Sequence, residues 1–128
     1  VGIVTDGCYR DSPSIAAMDI ASYARSPHAA TNKTIHHPVD MQIPIGCGGV
    51  AVYPGDVLVG DDEGVVVIPR AIAPNVARQA AAQEHVETFI LSKIQGGAEL
   101  MGTYPADDKT KAEYETYCRD NPLPPGVG

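Results

Sequence analysis

The sequence has 128 residues, of which 44% are hydrophobic and 20% charged, which is enough for one packed domain and unlike a disordered chain. Sixteen acidic residues against nine Lys and Arg give a net charge of −7, which argues against binding to nucleic-acid phosphates or an anionic membrane surface. No apolar run approaches the roughly 18 residues of a membrane span, and we expect a cytoplasmic protein that contacts neither nucleic acid nor membrane.

The first part of the sequence predicts short strands separated by turns. It starts on Val1, with no Met and no charged leader, so we expect it to be the later part of a longer protein. Asp6-Gly7 indicates a turn, and Ser12-Pro13 is typical of a helix start. The predicted elements are a strand over 1–5, a short helix over about 13–18, a strand over 19–24, a loop over 25–33 and an irregular strand over 34–45.

The second part predicts tight β turns followed by two helices. Asp61-Asp62-Glu63-Gly64 separates two Val-rich segments, which predicts a hairpin. Gly96-Gly97 ends the clearest helical segment, and Asp107 or Asp108 caps the next one. The predicted elements are strands over 50–52, 57–60 and 65–68, helices over 71–95 and about 108–119, and a Pro-rich tail over 121–128. With no Trp and one Phe, the core is expected to consist of Val, Ile, Leu and Ala.

Three widely separated cysteines are present, Cys8, Cys47 and Cys118, and their spacing does not suit zinc. We expect free thiols in a reducing compartment. The glycines of Gly46-x-Gly48-x-x-Ala51 match a dinucleotide fingerprint on paper, but that motif must open a helix, and Pro54-Gly55 follows at once. We therefore reject a dinucleotide site.

One carboxylate is out of place on the long predicted helix. Residues spaced four and three apart form one face, which is apolar or neutral except for Glu87: Val76, Ala80, Gln83, Glu87, Ile90 and Ile94. A carboxylate on a buried face is costly unless it is paired or hydrogen-bonded. The pattern leaves two interpretations open: Glu87 turns out to water or meets an Arg at the edge of the face, or it is presented to a functional site, such as one on a neighbouring subunit.

Arg10 and Asp11 form the second candidate feature, because they follow a turn and precede a predicted helix. Arginine can bind a carboxylate through two parallel hydrogen bonds, and aspartate offers the hard oxygen that Mg²⁺ prefers. The alternatives are a surface ion pair or a helix cap made by Asp11. For the acidic run Asp61-Asp62-Glu63, a solvated turn is favoured over a metal site because consecutive residues point in different directions.

Several segments together resemble the RraA-like superfamily, which includes the regulator of ribonuclease activity A and the class II 4-hydroxy-4-methyl-2-oxoglutarate aldolases. Thr5-Asp-Gly-Cys-Tyr-Arg-Asp11 is similar to the family signature V-D-G-x-x-R-D. The resemblance continues in family order through the segments 43–50, 52–56 and 59–69, and then through the helix that carries Glu87. The extra helix with Tyr114 and Tyr117 looks like that of the longer, enzyme-like members.

The resemblance implies an α/β fold, an α/β/β/α sandwich of the swivelling-domain type that is incomplete at its N-terminus. Residues 1–105 would be the later portion of the RraA-like domain, with a C-terminal helix and tail over 106–128 packing on it. Members assemble as homotrimers, or as dimers of trimers, with sites between subunits. The family's Gly-rich loop would precede this chain, and Ser14 stands where many members have an acid.

The resemblance also implies a reaction, the retro-aldol cleavage of a 4-hydroxy-2-oxo acid to pyruvate, with oxaloacetate decarboxylation as a companion activity. Asp11 would bind a divalent cation, Mg²⁺ or Mn²⁺, and Arg10 would contact the small 2-oxo acid substrate. Glu87 would reach in from the adjacent subunit as a catalytic residue. The alternative function within the same family is a non-catalytic regulator that binds a ribonuclease.

Overall fold

The structure is a computed structural model, which describes residues 2–31, 33 and 36–127. The contacts of the chain group into two compact units, one ending at Arg70 and the other beginning at Ala71. The first unit holds β1 (Gly2–Val4), β2 (Cys8–Tyr9), α1 (Ser12–Ala16), β3 (Ala21–Tyr23), β4 (Ser26–Pro27), β5 (Ile45–Cys47), β6 (Val50–Val52), β7 (Val57–Gly60) and β8 (Val65–Ile68). The second holds α2 (Ala73–Gln95) and α3 (Asp108–Asp120). These strands and helices confirm the predicted α/β class.

Two parallel strand pairs begin the first unit, and α1 provides the crossover between their members. β1 pairs with β3, and β2 pairs with β4. The register changes by one residue between the two pairs, because three residues separate Val4 from Cys8 whereas two separate Tyr23 from Ser26. The extra residue falls at the predicted Asp6-Gly7 turn and acts as a bulge, a feature that redirects the side chains that follow it.

Two antiparallel hairpins complete the first unit. β5 pairs with β6, and β7 pairs with β8 around a four-residue acidic turn, as the sequence predicts. The Asp61 carboxylate accepts hydrogen bonds from the N–H groups of Glu63 and Gly64, at 2.8 and 3.2 Å. The solvated-turn interpretation of the acidic run is therefore confirmed, because Asp61 stabilises the turn itself.

Three sequence predictions for the first unit need correction. The loop predicted over 25–33 contains β4, whose pairing depends on a distant strand. The strand predicted over 34–45 is wrong for residues 36–44, which have no regular structure and contain two prolines without N–H donors. Residues 34 and 35, like residue 1 of the first predicted strand, lie outside the described residues. The first helix begins and ends slightly earlier than predicted.

The predicted aliphatic core is also wrong for this chain taken alone. Among the described residues, the buried ones are Phe89, Thr103 and Thr110, all in the second unit. Each strand of the first unit has one hydrogen-bonded neighbour among the described strands, so its other edge is unpaired there. Large apolar side chains on these strands are exposed, among them Ile3, Leu58 and Val66.

The second unit is held by aromatic packing between α2 and α3. Phe89 lies against the rings of Tyr114 and Tyr117, with centroids 5.4 and 5.1 Å apart. His85 binds the Tyr114 hydroxyl through Nδ1 and the Asn121 carbonyl oxygen through Nε2, both at 2.8 Å. The carbonyl can only accept, so Nε2 carries a proton in this arrangement. Lys93 forms an ion pair with Glu113 at the same interface.

The predicted bounds of both helices are confirmed to within two residues. Pro74 lies in the first turn of α2, and Gly96 follows its last residue. Asp107 caps α3 by accepting a hydrogen bond from the Thr110 N–H at 2.8 Å, and this bond lowers the pKa of the Asp107 carboxyl. The local capping signals are therefore sufficient to place the helix ends.

Tyr114 should titrate unusually late. Burial raises the pKa of Tyr114 to about 12 from an ordinary value of 10.0, with smaller contributions from Cys118 and Tyr117. Because the folded pKa is the higher one, its contribution to stability is complete below pH 10 and is lost as the pH rises toward 12. We expect the absorbance of phenolate to show one such late tyrosine, which Tyr114→Phe removes. Titration of every tyrosine near its ordinary value would contradict this prediction.

Candidate functional site

Arg10 and Asp11 lie at the carboxyl end of β2, immediately before α1. Ligands of open α/β sheets bind beyond the carboxyl ends of parallel strands, and β2 and β4 end side by side here. Asp11 adopts a left-handed backbone conformation, with φ 62° and ψ 26°. Aspartate tolerates this conformation better than most residues, and such backbone positions are frequent at functional sites.

The structure brings the predicted pair Arg10 and Asp11 together. Nε of Arg10 lies 3.4 Å from Oδ2 of Asp11, and the two side chains are 54% and 67% exposed. The alternative in which Asp11 caps the helix through its side chain is not observed, because only its backbone carbonyl oxygen accepts hydrogen bonds from α1. A surface ion pair of this exposure adds little stability. Both groups therefore remain available to a ligand.

Two adjoining cavities are lined by Arg10 and Asp11, with volumes of about 620 and 600 Å³. His28 lines both of them, and Lys33 and His36 line the larger one. Asp11 is the one carboxylate among the described residues that line either cavity, against the cations Arg10 and Lys33. Although the chain as a whole is acidic, this location is suited to an anionic ligand.

A larger cavity of about 790 Å³ lies elsewhere in the first unit and does not include the Arg10–Asp11 pair. Its lining is mainly the apolar side chains of the strand pairs, and the buried Ser22 hydroxyl has no hydrogen-bond partner among the described residues. Size alone does not make a site. The smaller cavities are the ones that the predicted pair lines.

Asp6 helps to position the segment that carries the candidate site, although the sequence analysis did not single it out. Its Oδ2 accepts a hydrogen bond from the Gly48 N–H at 3.0 Å, which joins the bulge to the turn between β5 and β6. Gly48 has a positive φ of 58°, so this turn favours glycine. Asp6 thereby holds the segment that leads to Arg10. Its position in the family-like motif was the available signal.

Glu87 lies in the second unit, on α2, and its side chain is exposed. Its Oε1 accepts a hydrogen bond from Nε2 of Gln83 at 2.8 Å. The face of α2 that packs within this unit includes His85 and Phe89, and the exposed Glu87 agrees with the interpretation in which it turns out to water at the edge of its face. Arg10 and Asp11 belong to the first unit and Glu87 to the second, and the role of Glu87 across a subunit interface stays a prediction.

The donor set fits a weakly held, hydrated cation rather than a closed metal site. Within the described part of the chain, no three His, Cys, Asp or Glu side chains are grouped so that they could hold a metal ion. Mg²⁺, however, usually keeps several waters and binds through one or two carboxylates together with its substrate. Asp11, which is exposed and forms an ion pair with Arg10, is compatible with such a cation.

The three cysteines are free, as predicted. A search of the described helices for a long and sufficiently apolar segment finds none that could cross a membrane.

Comparison with known proteins places the first unit in a recognised group. The RraA-like family model, described as Aldolase/RraA, matches residues 1–67. An uncharacterised protein from Methanocaldococcus jannaschii is 33% identical over 99 residues, which are 77% of this chain and 47% of that protein. A Halalkalibacterium halodurans protein, provisionally named 4-hydroxy-4-methyl-2-oxoglutarate aldolase, is 36% identical over 83 residues. These are 65% of this chain and 39% of that protein.

A solved structure has a fold similar to that of this chain. The crystal structure of an uncharacterised protein from Pseudomonas syringae pv. tomato matches with a TM-score of 0.76 and 29% identity, covering 80% of this chain and 52% of that one. The chain thus spans about half the length, or less, of these relatives.

Proposed function

Because this chain belongs to the RraA-like family, we propose that it carries part of the active site of a metal-dependent lyase that cleaves a 4-hydroxy-2-oxo acid to pyruvate. The observation that carries the proposal is the exposed Arg10–Asp11 pair in a cavity whose other charged lining residue is the cation Lys33. Relatives with the provisional aldolase name support the same reaction class.

Arg10 binds the carboxylate of the 2-oxo acid through its guanidinium group and fixes the orientation of the substrate. When the C3–C4 bond breaks, its electron pair remains on C3 and passes into the 2-oxo group, while the C4 hydroxyl loses a proton and becomes a carbonyl. C3 then takes up a proton to complete pyruvate. The positive charge of Arg10 stabilises the negative charge that develops during this step.

Asp11 is the residue that would hold the divalent cation, Mg²⁺ or Mn²⁺. When bound, that cation supplies Lewis-acid stabilisation of charge on the 2-oxo oxygen. The left-handed backbone at Asp11 positions the carboxylate next to Arg10, so cation and guanidinium would address the same small substrate. Oxaloacetate decarboxylation breaks the corresponding C3–C4 bond, and we propose it as a companion activity.

We further propose that the complete architecture is an α/β/β/α sandwich assembled as a homotrimer or a dimer of trimers. Exposed apolar side chains on the strand pairs support burial against another polypeptide surface, since contiguous apolar surface commonly marks an interface. Glu87, exposed on α2, would complete the site of an adjacent subunit and hold a water that moves the proton.

The test is a pyruvate assay on the purified 128-residue chain with Mg²⁺ and oxaloacetate, coupled to lactate dehydrogenase. We expect pyruvate release above the metal-only rate, loss with a chelator and recovery on adding Mg²⁺. Asp11→Asn should keep the fold, because asparagine also tolerates the left-handed conformation, and should abolish the metal response. Pyruvate release that ignores both the chelator and Asp11→Asn would contradict the proposal.

A further inference from the structure

His28 is placed opposite Arg10 by the pairing of β2 with β4. The register pairs Tyr9 with Pro27, so the next residues along the two strands are Arg10 and His28. The His28 N–H continues the ladder by donating to the Tyr9 carbonyl oxygen at 3.0 Å. His28 thus lies beside Arg10 at the carboxyl end of a parallel strand pair, in a segment that the sequence alone predicted to be a loop.

The hydrogen bonds of His28 fix which ring nitrogen is available. Nδ1 accepts a hydrogen bond from the Ala30 N–H at 3.1 Å, so in the neutral ring the proton is carried by Nε2. None of the residues in 2–31, 33 and 36–127 accepts a hydrogen bond from Nε2. His28 therefore offers a donor whose ring orientation is set by the backbone of its own loop.

The surroundings of this donor favour a negatively charged group. His28 lines both cavities that Arg10 and Asp11 line. Lys33 and His36 line the larger of the two, and Asp11, the carboxylate there, is already paired with Arg10. A hydrogen bond between a ring N–H and a carboxylate is charge-assisted, which makes it stronger than a neutral one.

We propose that His28 determines specificity by binding the second carboxylate of a dicarboxylic 2-oxo acid, while Arg10 binds the carboxylate next to the oxo group. This inference rests on the proposed lyase function and adds a selecting residue to it. A substrate with one carboxylate makes the Arg10 contact and lacks the His28 contact. His28 is a binding residue, so its loss affects recognition of the second carboxylate and leaves the bond-breaking step in place.

The kinetic test compares 4-hydroxy-2-oxoglutarate, whose second carboxylate is not lost in the retro-aldol step, with 4-hydroxy-2-oxopentanoate, which has a methyl group in place of that carboxylate. For His28→Ala we expect the KM for 4-hydroxy-2-oxoglutarate to rise about 10- to 100-fold, the range for losing a hydrogen bond to a charged group. The kcat for 4-hydroxy-2-oxoglutarate and both constants for the monocarboxylate should change less than about threefold. His28→Gln, whose amide can donate near the position of Nε2, should recover part of the loss.

The matched control is His37→Ala, which removes an exposed imidazole that does not line either cavity. It should leave both substrates unaffected. Equal losses of activity toward the two substrates in His28→Ala, or an unchanged KM for 4-hydroxy-2-oxoglutarate, would overturn the assignment of His28 to the second carboxylate.

A binding measurement separates failure of this inference from failure of the proposed function. Isothermal titration calorimetry measures the binding of succinate and butyrate, a dicarboxylate and a monocarboxylate that the lyase cannot cleave, and therefore does not depend on turnover. We expect the chain to bind succinate more tightly than butyrate, and His28→Ala to weaken succinate binding at least about tenfold. If pyruvate is never released but this preference depends on His28, the lyase proposal fails and the anion site stands. If succinate is not preferred, the inference is wrong whatever the activity.

Discussion

Arg10→Ala is expected to lower kcat/KM for pyruvate release by about 100- to 1,000-fold, the typical cost of removing one preorganised group that stabilises developing charge. The Arg10 side chain is about half exposed, and its ion pair with Asp11, at 3.4 Å, should contribute little to the stability of the fold. Its loss should therefore appear in catalysis while the fold is retained. The kcat/KM of Arg10→Lys should lie between those of the wild type and Arg10→Ala. Lysine keeps the positive charge but cannot bind a carboxylate through two parallel hydrogen bonds.

The matched control for this experiment is Arg78→Ala, which removes an exposed arginine on α2 that lines neither cavity. It makes the same change in net charge and should retain the wild-type rate. Circular dichroism spectra of all variants should coincide. A rate for Arg10→Ala within threefold of that of Arg78→Ala would show that Arg10 has no role in the reaction.

Phe89→Ala is expected to destabilise the second unit by about 3–5 kcal/mol, because truncating a buried phenylalanine removes apolar contact and leaves a cavity. Phe89 is 7% exposed and is the buried apolar residue of this unit among the described ones. It contacts both tyrosines of α3, so its removal also takes away the aromatic packing between the helices. A loss of this size is a large share of the stability of a small unit.

Urea unfolding followed by helical circular dichroism measures this effect. Leu91→Ala is the control, since it truncates an exposed aliphatic residue two positions away on the same helix and should change the free energy of unfolding by no more than about 0.5 kcal/mol. Similar destabilisation by the two substitutions would show that the Phe89 ring does not hold α2 and α3 together.

The elements that the sequence predicts well are those whose signals are local. Pro74, Gly96 and Asp107 mark helix ends through contacts made within one turn, and the acidic turn of the β7–β8 hairpin is stabilised by its own Asp61. Such signals need no knowledge of distant residues. Both helices and the hairpin were therefore recoverable from the sequence.

The missed elements depend on partners far along the chain. β4 consists of Ser26-Pro27, which has no strand signature of its own and exists because β2 lies beside it. His28 could not be placed at the site without that pairing. Arg10 and Asp11 were found because they adjoin in sequence, whereas the relation of Glu87 to them depends on assembly and stays a prediction.

The extra residue between β1 and β2 also sets a rule for how this segment can change in length. Deleting one residue of Thr5–Gly7 would leave two residues between β1 and β2, the same number as between β3 and β4, so the ladder would run unbroken and the bulge would be lost. Sequence drift at these positions is tolerable only if the spacing is conserved. We expect a single-residue deletion here to be compensated by a matching deletion between Tyr23 and Ser26, which restores the one-residue difference, and an uncompensated deletion to remove the bulge that redirects the side chains of β2.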